Sequence, residues 1–499
     1  MVKNDSTLEG QIAARRAAVG AGSYVTSLVV PCHPSLVLLR DIAQLPDLVQ
    51  LQSGEGEGDQ PHQVMGRLLQ VNDLGRLLFA FIRSDGIDLQ LCATAHEPAA
   101  LTALRSANLG DHVWAVGHAF RTRQGKRAVL ATEARVVTPC IRPLPGKALQ
   151  GGAGQDVQWR RANPEADLII RPDGADLLRK RAGIVRAVRR TLDERGFTEV
   201  ETRTMLQRAS GAAAASFTAH HRHLGSDVHL RIAMEIELKR LVAGGLEQVY
   251  ELGRAYRNEA ADRTHSPEFT MLEMYHAGID LACMMMLTED IIQEANAAVN
   301  PGVTTVPWDE HRISVGSRTP GAQPVCYERM TMRDAVSRFA NLGNVPVQRG
   351  LTSPNWVEEV ELTRYAHEQC GMPANVSYGE ALQRIFDEHV VPKLIQPTFI
   401  TEHPLELSPL SATSQHSPLL ANRFELYACG MELANGCVEL TDPDEQRRRM
   451  QAQGTVDADL IRALELGMPP TAGCGIGIDR LCMVLLGRRD IHDVMALPA

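Results

Sequence analysis

A stretch near the middle of the chain, RNEAADRTHSPEF (257–269), holds several side chains that could do chemistry close together. The planar fork of donors on Arg257 can clamp a phosphate, Phe269 can stack on a planar base, and His265 adds a ring nitrogen. The runs on either side alternate apolar and polar residues, so they predict a β-hairpin. Arg257 and Glu259 then point to one face, where they could equally form a structural ion pair beside a core phenylalanine.

A second segment, RFELYACGMELANGCVELTD (423–442), repeats a carboxylate every seven residues, at Glu425, Glu432 and Glu439. Leucines recur at the same spacing and ANG interrupts the run, which argues against a solvent-exposed helix face. Carboxylates in a largely apolar strand or turn have to be paired or bind a metal. Their hard oxygen atoms suit the magnesium ion that a nucleotide carries.

The third segment, PPTAGCGIGIDRL (469–481), is rich in glycine and ends near Arg480, where the pattern predicts the start of a helix. Glycine permits close backbone approach, and an arginine can neutralise a phosphate or stack on a base. Each segment alone is a weak signal, whereas their combination predicts a nucleotide site.

These segments resemble those of class II lysyl-tRNA synthetases, and the similarity covers nearly the whole chain. YELGRAYRNEAADRTHSPEF is similar to the second motif of the class and GCGIGIDRL to the third. RIAMEIELKRLVAGG, LIQPTFITEHPLELSPLS and ELANGCVELTDPDEQ resemble segments of the lysyl enzymes in particular. The resemblance implies an α+β protein with an oligonucleotide-binding (OB) barrel followed by an antiparallel catalytic sheet flanked by helices, acting as a homodimer.

The resemblance also implies a role for each site residue. Arg257 would hold the α-phosphate of ATP, Phe269 would stack on adenine and Arg480 would meet the far phosphates or the adenine. A carboxylate that attacks a phosphate brings two anions together, so arginines and Mg²⁺ supply most of the help and no protein nucleophile is needed. The expected catalytic residues are Arg257, Glu259 and Arg480; the ATP-binding residues are Arg257, Glu259, His265, Phe269, Glu425 and Arg480; the Mg²⁺ ligands are Glu425 and Glu432.

The same resemblance predicts a lysine pocket rich in carboxylates, because each buried ammonium group needs a partner. Related aspartyl enzymes have an arginine where Glu439 stands, so the charge at that position would select the sign of the substrate. The expected lysine-binding residues are Gly211, Glu235, Glu273, Tyr275, Asn435 and Glu439. The partners implied are tRNA(Lys), ATP and L-lysine.

The N-terminal part of the chain contains a different pattern. Short apolar runs between 62 and 137, separated by turn signals such as NDLG and SDG, predict five strands and hence a small barrel. Phe79 and Phe81 share a face of one strand, where they could stack bases with Gln90 nearby, although strand aromatics are more often core. We expect an N-terminal extension (1–60), the OB-fold anticodon-binding domain (61–145), a linker (146–175) and a catalytic domain (176–499). The catalytic domain should contain a mostly helical segment near 330–395.

Bulk properties limit the alternatives. The 499 residues carry a formal charge of −9, so a nucleic-acid partner requires a local basic patch. No apolar run approaches the roughly 18–20 residues that span a bilayer, and the N-terminus lacks a signal-peptide pattern. The ten cysteines include no C-x-x-C pair. These features are typical of a cytoplasmic protein with reduced thiols.

Departures from the family pattern suggest a divergent copy. Arg203 replaces the proline of the first motif, which weakens the inferred dimer contact, Ser266 replaces an asparagine, and Cys437 stands where an aromatic residue would cover the lysine stem. Two other hypotheses remain at this stage: a paralogue that activates lysine or an analogue for a non-tRNA acceptor, and a catalytically silent tRNA-binding regulator.

Overall fold

The computed structural model describes residues 8–19, 61–122, 125–145, 157–171, 173–208, 214–322, 325–342, 356–454 and 456–497. The chain divides into two compact units, Met1–Asp176 and Leu177–Ala499. None of the described helices is long and apolar enough to cross a membrane.

Within the described residues of the first unit, five strands close into a barrel in the order β1-β2-β3-β5-β4, which confirms the predicted OB-like strand set. Leu78, Ala80 and Ile82 of β2 point into its core and are fully buried. Phe79 and Phe81 alternate with them and are half-buried on the outer face. The elements are α1 (Leu8–Ala18), β1 (His62–Asp73), β2 (Leu77–Ser84), β3 (Ile87–Thr94), α2 (Pro98–Ser106), β4 (His112–Arg121), β5 (Arg127–Thr138), α3 (Val157–Ala162) and α4 (Pro164–Ile170).

The second unit is built on a mostly antiparallel sheet, as the resemblance implied. In the described part of the unit it has eight strands in the order β14-β15-β16-β17-β18-β11-β10-β6, with parallel pairs only at its two edges. Small two- and three-stranded sheets accompany it. The strands are β6 (Thr198–Glu199), β7 (Met205–Leu206), β8 (Thr218–His221), β9 (Ser226–Leu230), β10 (Gln248–Tyr256), β11 (Glu268–Ala277), β12 (Thr305–Trp308), β13 (His311–Ser314), β14 (Glu328–Thr331), β15 (Thr398–Thr401), β16 (Arg423–Ala428), β17 (Met431–Val438) and β18 (Thr471–Gly477).

Helices bury one face of this sheet. The apolar stripe of Ile184, Val188 and Leu192 is fully buried against it, and the helix that carries the stripe ends before Gly196, whose φ of 85° is one that glycine adopts easily. The helices are α5 (Gly174–Asp193), α6 (Glu235–Ala243), α7 (Leu281–Val299), α8 (Met332–Phe339), α9 (Trp356–Cys370), α10 (Tyr378–His389), α11 (Pro443–Ala452), α12 (Ala458–Glu465) and α13 (Ile478–Leu485), with short 3-10 turns at Val391–Lys393, Leu405–Leu407 and Ile491–Asp493.

Among the described residues between 330 and 395, α8, α9 and α10 pack around an apolar core that also includes Ile400 of β15 and Tyr427 of β16. Thr331 caps α8 by accepting a hydrogen bond from the Asp334 amide at 3.0 Å. A reciprocal capping box occurs at α10, between Ser377 and Glu380.

Candidate active site

One cavity of about 700 Å³ in the second unit brings the predicted catalytic and substrate-binding residues together. Gly211 lies outside the described residues, so the structure does not describe its position. The remaining residues predicted for ATP, metal and lysine all line this cavity: Glu235, Arg257, Glu259, His265, Phe269, Glu273, Tyr275, Glu425, Glu432, Asn435, Glu439 and Arg480.

The cavity exists because the strand beneath it presents glycines. On β18, Gly473, Gly475 and Gly477 line the cavity, while Ala472, Cys474 and Ile476 between them are buried in the core. Side chains alternate between the two faces of a strand, so the cavity face of β18 carries no side chain from Gly473 to Gly477. A Cβ atom added to Gly473 would lie 2.3 Å from the Tyr275 ring and 2.5 Å from Glu439 Oε1. The two side chains therefore fill the space that this glycine leaves.

At one end of the cavity, Arg257 packs over an aromatic ring. Its guanidinium carbon lies 5.2 Å from the Phe269 ring centroid, and its Nε lies 3.5 Å from the Ile232 carbonyl oxygen. Glu259 is exposed, and no ion pair joins it to Arg257 among the described residues. The purely structural ion pair left open by the sequence is thus not formed, and the donors of Arg257 face the cavity.

Arg480 ties the tip of the β10–β11 hairpin to the neighbouring strands. It donates from Nη2 to His265 Nε2 at 2.8 Å and from Nη1 to the Glu432 carbonyl oxygen at 2.8 Å. Because an arginine can only donate, His265 Nε2 is the acceptor and the proton of the neutral ring lies on Nδ1. That Nδ1 is 2.8 Å from Asp262 Oδ2. Burial alone would raise the pKa of Asp262, but hydrogen bonds from Thr264 and His265 outweigh it and lower that pKa to about 2.

Glu425 and Glu432 lie on adjacent strands of the hairpin β16–β17 and both reach the cavity. Glu425 is held by short contacts from Arg423 and from the Tyr427 hydroxyl. Burial, with repulsion from Glu425, raises the pKa of Glu432, while Arg480 opposes the rise. Ionising Glu432 beside a second carboxylate costs free energy, and a hard divalent cation bound between the two would offset that cost. The pair therefore fits Mg²⁺.

Asn435 contacts this carboxylate pair. Its Oδ1 accepts from Arg423 Nε at 3.1 Å, and its Nδ2 donates to Glu425 Oε1 at 3.1 Å and lies 3.5 Å from Glu432 Oε1. The sequence placed Asn435 with the lysine-binding residues. In the structure it lies in the same cavity but its amide is committed to the predicted metal ligands.

The other end of the cavity is lined with carboxylates. Glu273 is buried: Oε1 accepts from the Met234 amide at 3.0 Å, while Oε2 has no hydrogen-bond partner among the described residues. Burial raises the pKa of Glu273 to about 8. An unpartnered buried carboxylate oxygen beside Glu235, Glu439 and Tyr275 is a site for a cationic group.

Two basic residues of the cavity region were missed in the sequence. Lys239 is buried between Glu235 and Glu439, and Arg423 bridges Ser408, Glu425 and Asn435. The signals were present: Lys239 follows Glu235 by four residues on α6, and Arg423 precedes Glu425 by two on β16. Both spacings put the charges side by side on one face.

In the first unit, the predicted tRNA residues share the outer face of the barrel. Phe81 pairs with Gln90 across β2 and β3, and Phe79 lies two residues away on the same face. Next to them Arg83 Nε lies 2.5 Å from Asp88 Oδ1 in an exposed ion pair. The face therefore offers two aromatic rings and an amide, with the arginine already paired.

Comparison with known proteins gives a consistent picture. Residues 156–499 match the family model of tRNA synthetases class II (D, K and N). The chain is 39% identical over 454 residues to a lysine–tRNA ligase of Xanthomonas campestris pv. campestris, covering 88% of this chain and 86% of that protein. It is 33% identical over 483 residues to a lysine–tRNA ligase of Dehalococcoides mccartyi (94% and 92%), and 38% identical over 409 residues to one of Bacillus subtilis (79% and 77%).

Proposed function

The chain belongs to the class II tRNA synthetases, in the branch of the lysine–tRNA ligases, and we propose that it activates L-lysine with ATP and transfers it to the 3′ end of tRNA(Lys). The observation that carries the proposal is the polarity of the cavity. One end presents Arg257 and Arg480 with an aromatic ring, and the other presents carboxylates, including the unpartnered Oε2 of Glu273. ATP with the lysine carboxylate suits the first end, and the ammonium groups of lysine suit the second.

In the first step a carboxylate oxygen of lysine attacks the α-phosphorus of ATP. An O–P bond forms, the bond to the pyrophosphate oxygen breaks, and lysyl-adenylate results. Both reactants are anions, so the protein has to hold them together and neutralise them. We assign the α-phosphate and the lysine carboxylate to Arg257, and adenine to the Phe269 ring that lies beside it. Arg480 and His265 are linked at the rim, where the β- and γ-phosphates would lie.

Glu425 and Glu432 are the residues that would hold Mg²⁺. When bound, the ion supplies positive charge to the phosphates and makes pyrophosphate a better leaving group. Arg423 and Asn435 fix the orientation of Glu425 and so support that role.

In the second step the 3′-hydroxyl of the terminal ribose attacks the carbonyl carbon of the adenylate, and AMP leaves. We assign anticodon binding to the outer face of the barrel with Phe79, Phe81 and Gln90, because stacking on aromatic side chains is how such barrels bind single strands. We also propose a homodimer, by analogy with the family, and a cytoplasmic location, which the unpaired cysteines of the described residues support.

The test is lysine-dependent exchange between ATP and pyrophosphate, followed by charging of tRNA(Lys). Exchange and charging together are expected. Exchange without charging would point to another acceptor, and the absence of both with retained tRNA binding would leave only a regulatory protein. Light scattering of the purified protein tests the dimer.

A further inference from the structure

Lys239 is the most deeply buried cation at the cavity, with 1% of its surface exposed. It lies on α6, and its Nζ is 2.5 Å from Glu235 Oε1 and in direct ion-pair contact with Glu439 Oε2. Both carboxylates line the cavity, whereas Lys239 lies behind them. An ammonium group of the protein itself is therefore inserted between two of the carboxylates assigned to the substrate.

The two oxygens of Glu439 have different surroundings. Oε2 contacts Lys239, while Oε1 lies 3.5 Å from the Cys437 thiol sulfur and beside the glycine gap at Gly473 and the ring of Tyr275. A thiol is a weak donor. Oε1 thus keeps most of its capacity for a stronger donor that enters the cavity.

We propose that Lys239 is a positioning residue for lysine recognition: it holds one oxygen of Glu439 and one of Glu235, and so aims the second oxygen of Glu439 at an ammonium group of the substrate. This inference rests on the proposed function. It adds to the carboxylates of the pocket a fixed internal cation. When Glu235, Glu273 and Glu439 are all ionised, as with a bound cation, this ammonium offsets one of their three negative charges. Two negative charges remain, which equals the number of ammonium groups on lysine.

Electrostatics give this arrangement a pH signature. Burial alone would lower the pKa of Lys239, but Glu235 and Glu439 outweigh it and raise that pKa, so the side chain stays charged. Burial raises the pKa of Glu439 to about 7 even with Lys239 opposing the rise and Glu235 adding to it. The other titratable groups that face Glu439 are the Cys437 thiol and Tyr275, and both of their pKa values are raised well above the usual range by burial. Removing the ammonium would therefore move the ionisation of Glu439 to higher pH.

The experiment measures the lysine KM in ATP–pyrophosphate exchange, at saturating ATP, between about pH 6 and about pH 8.5, a range that brackets the pocket carboxylates. The variant is Lys239→Met, which keeps most of the length of the side chain and removes its charge. Lys239→Arg retains the charge and should restore much of the lysine affinity. Arg240→Met is the matched control, since it removes a cation from the next position of α6 that pairs with Glu237 and Asp459 instead.

The ratio of the variant KM to the wild-type KM cancels the ionisation of the substrate and of Glu273. For Lys239→Met we expect a ratio of about ten or more near pH 7, and we expect this ratio to shrink as the pH rises. Each unit of pH lowers the proton concentration tenfold, so protons compete less with the substrate ammonium for Glu439 in the variant. The ATP KM and kcat at saturating lysine should change little. A ratio that does not vary with pH, or a loss confined to kcat, would reduce Lys239 to a structural residue and overturn the inference.

Folding is checked by circular dichroism and by direct ATP binding. If Lys239→Met does not fold, Lys239→Gln, whose amide can still donate to a carboxylate, is measured in the same way. Failure of both variants to fold even near pH 6, where the freed carboxylates take up protons, would show that the ammonium serves the fold and would also overturn the proposal. Absence of lysine-dependent exchange in the wild type contradicts the proposed function instead, so the two failures are distinct.

Discussion

At the scale of single residues, the surroundings of Glu273 favour the binding of a cationic group. Glu273 lies on the central strand β11, where the Met234 amide satisfies one oxygen and nothing among the described residues satisfies the other. A carboxylate desolvated in this way holds a proton near neutral pH, and a bound ammonium group would displace that proton. Glu273 therefore costs stability in the free protein and supplies attraction when a cation arrives.

The first prediction follows from that cost. The pKa of Glu273 is about 8 when folded, against about 4.3 for an unfolded glutamate. Because the folded value is the higher one, stability is greatest below the unfolded pKa and is lost as the pH rises toward the folded pKa. The melting temperature of the ligand-free protein should thus fall between about pH 5 and about pH 8, and Glu273→Gln should flatten the fall. Glu268→Gln, at a half-exposed position of the same strand, is the control. Parallel curves for wild type and Glu273→Gln would contradict the assignment.

A second prediction separates the two ends of the cavity. Glu439→Gln keeps size and an acceptor but removes the charge, and it leaves the ammonium of Lys239 facing the substrate ammonium. Loss of one partner of a buried pair commonly costs about 3–5 kcal/mol, and we expect it in the lysine-dependent kcat/KM. Glu425→Gln should instead impair activation through the metal and spare lysine affinity.

Pyrophosphate exchange against lysine and against ATP, with direct ATP binding, measures both variants. Glu439→Gln should bind ATP like the wild type, because Arg257, Phe269 and Arg480 are untouched. Equal loss of lysine and ATP binding in this variant would remove the ammonium-pairing role from Glu439.

At the scale of elements, the seven-residue spacing between Glu425 and Glu432 is explained by a hairpin. A turn at Cys429 and Gly430, with φ of 58° and 71°, connects β16 to β17, and a bulge at Leu426–Tyr427 precedes this turn in β16. Both central residues have positive φ, as in the turns that favour two-residue hairpins. The turn places Glu425 and Glu432 on facing strands, which helix periodicity could not have explained.

The third prediction concerns the glycines of β18. Gly473→Ala would put a methyl group into the space of the Tyr275 ring and Glu439 Oε1. Overpacking of this kind costs about 1–3 kcal/mol, and here it should raise the lysine KM while ATP binding persists. Gly477→Ala on the same strand meets nothing closer than 3.8 Å and should change the lysine KM far less. Similar KM values for the two variants would show that the gap at Gly473 does not shape the pocket.

Local patterns predicted most of this architecture, because alternation and turn residues report on strands directly. The hairpin of Arg257 and the five barrel strands were both predicted in that way. The inward orientation of the Lys239 side chain was not predicted. A glutamate and a lysine four residues apart on a helix usually form a solvated surface pair, and only tertiary packing turns this pair inward. The hydrogen-bond partners of the Asn435 amide likewise depend on which neighbouring strand it faces, and the sequence does not specify that.

At the scale of the whole molecule, the proposed function assigns two separable activities to the two units. The cavity that would form the adenylate lies entirely in the second unit, and the aromatic face lies on the barrel of the first. With a net charge of −9 the molecule as a whole repels nucleic acid. Recognition of tRNA therefore has to come from local contacts such as stacking.

The last prediction tests that division. Phe79→Ala removes one half-buried ring from the outer face of β2, and loss of base stacking costs about 1–3 kcal/mol per base. Charging of tRNA(Lys) should fall by the corresponding factor, through the KM for tRNA, while lysine-dependent pyrophosphate exchange stays at the wild-type level. Trp114→Ala is the control, since it removes an outer-face aromatic from β4, separated from β2 by β1 and already covered by Arg135 at 4.7 Å. Equal loss of exchange and charging in Phe79→Ala would mean that the ring supports the fold of the protein and does not contact tRNA. A tRNA KM raised equally by both variants would show that stacking is not concentrated at Phe79.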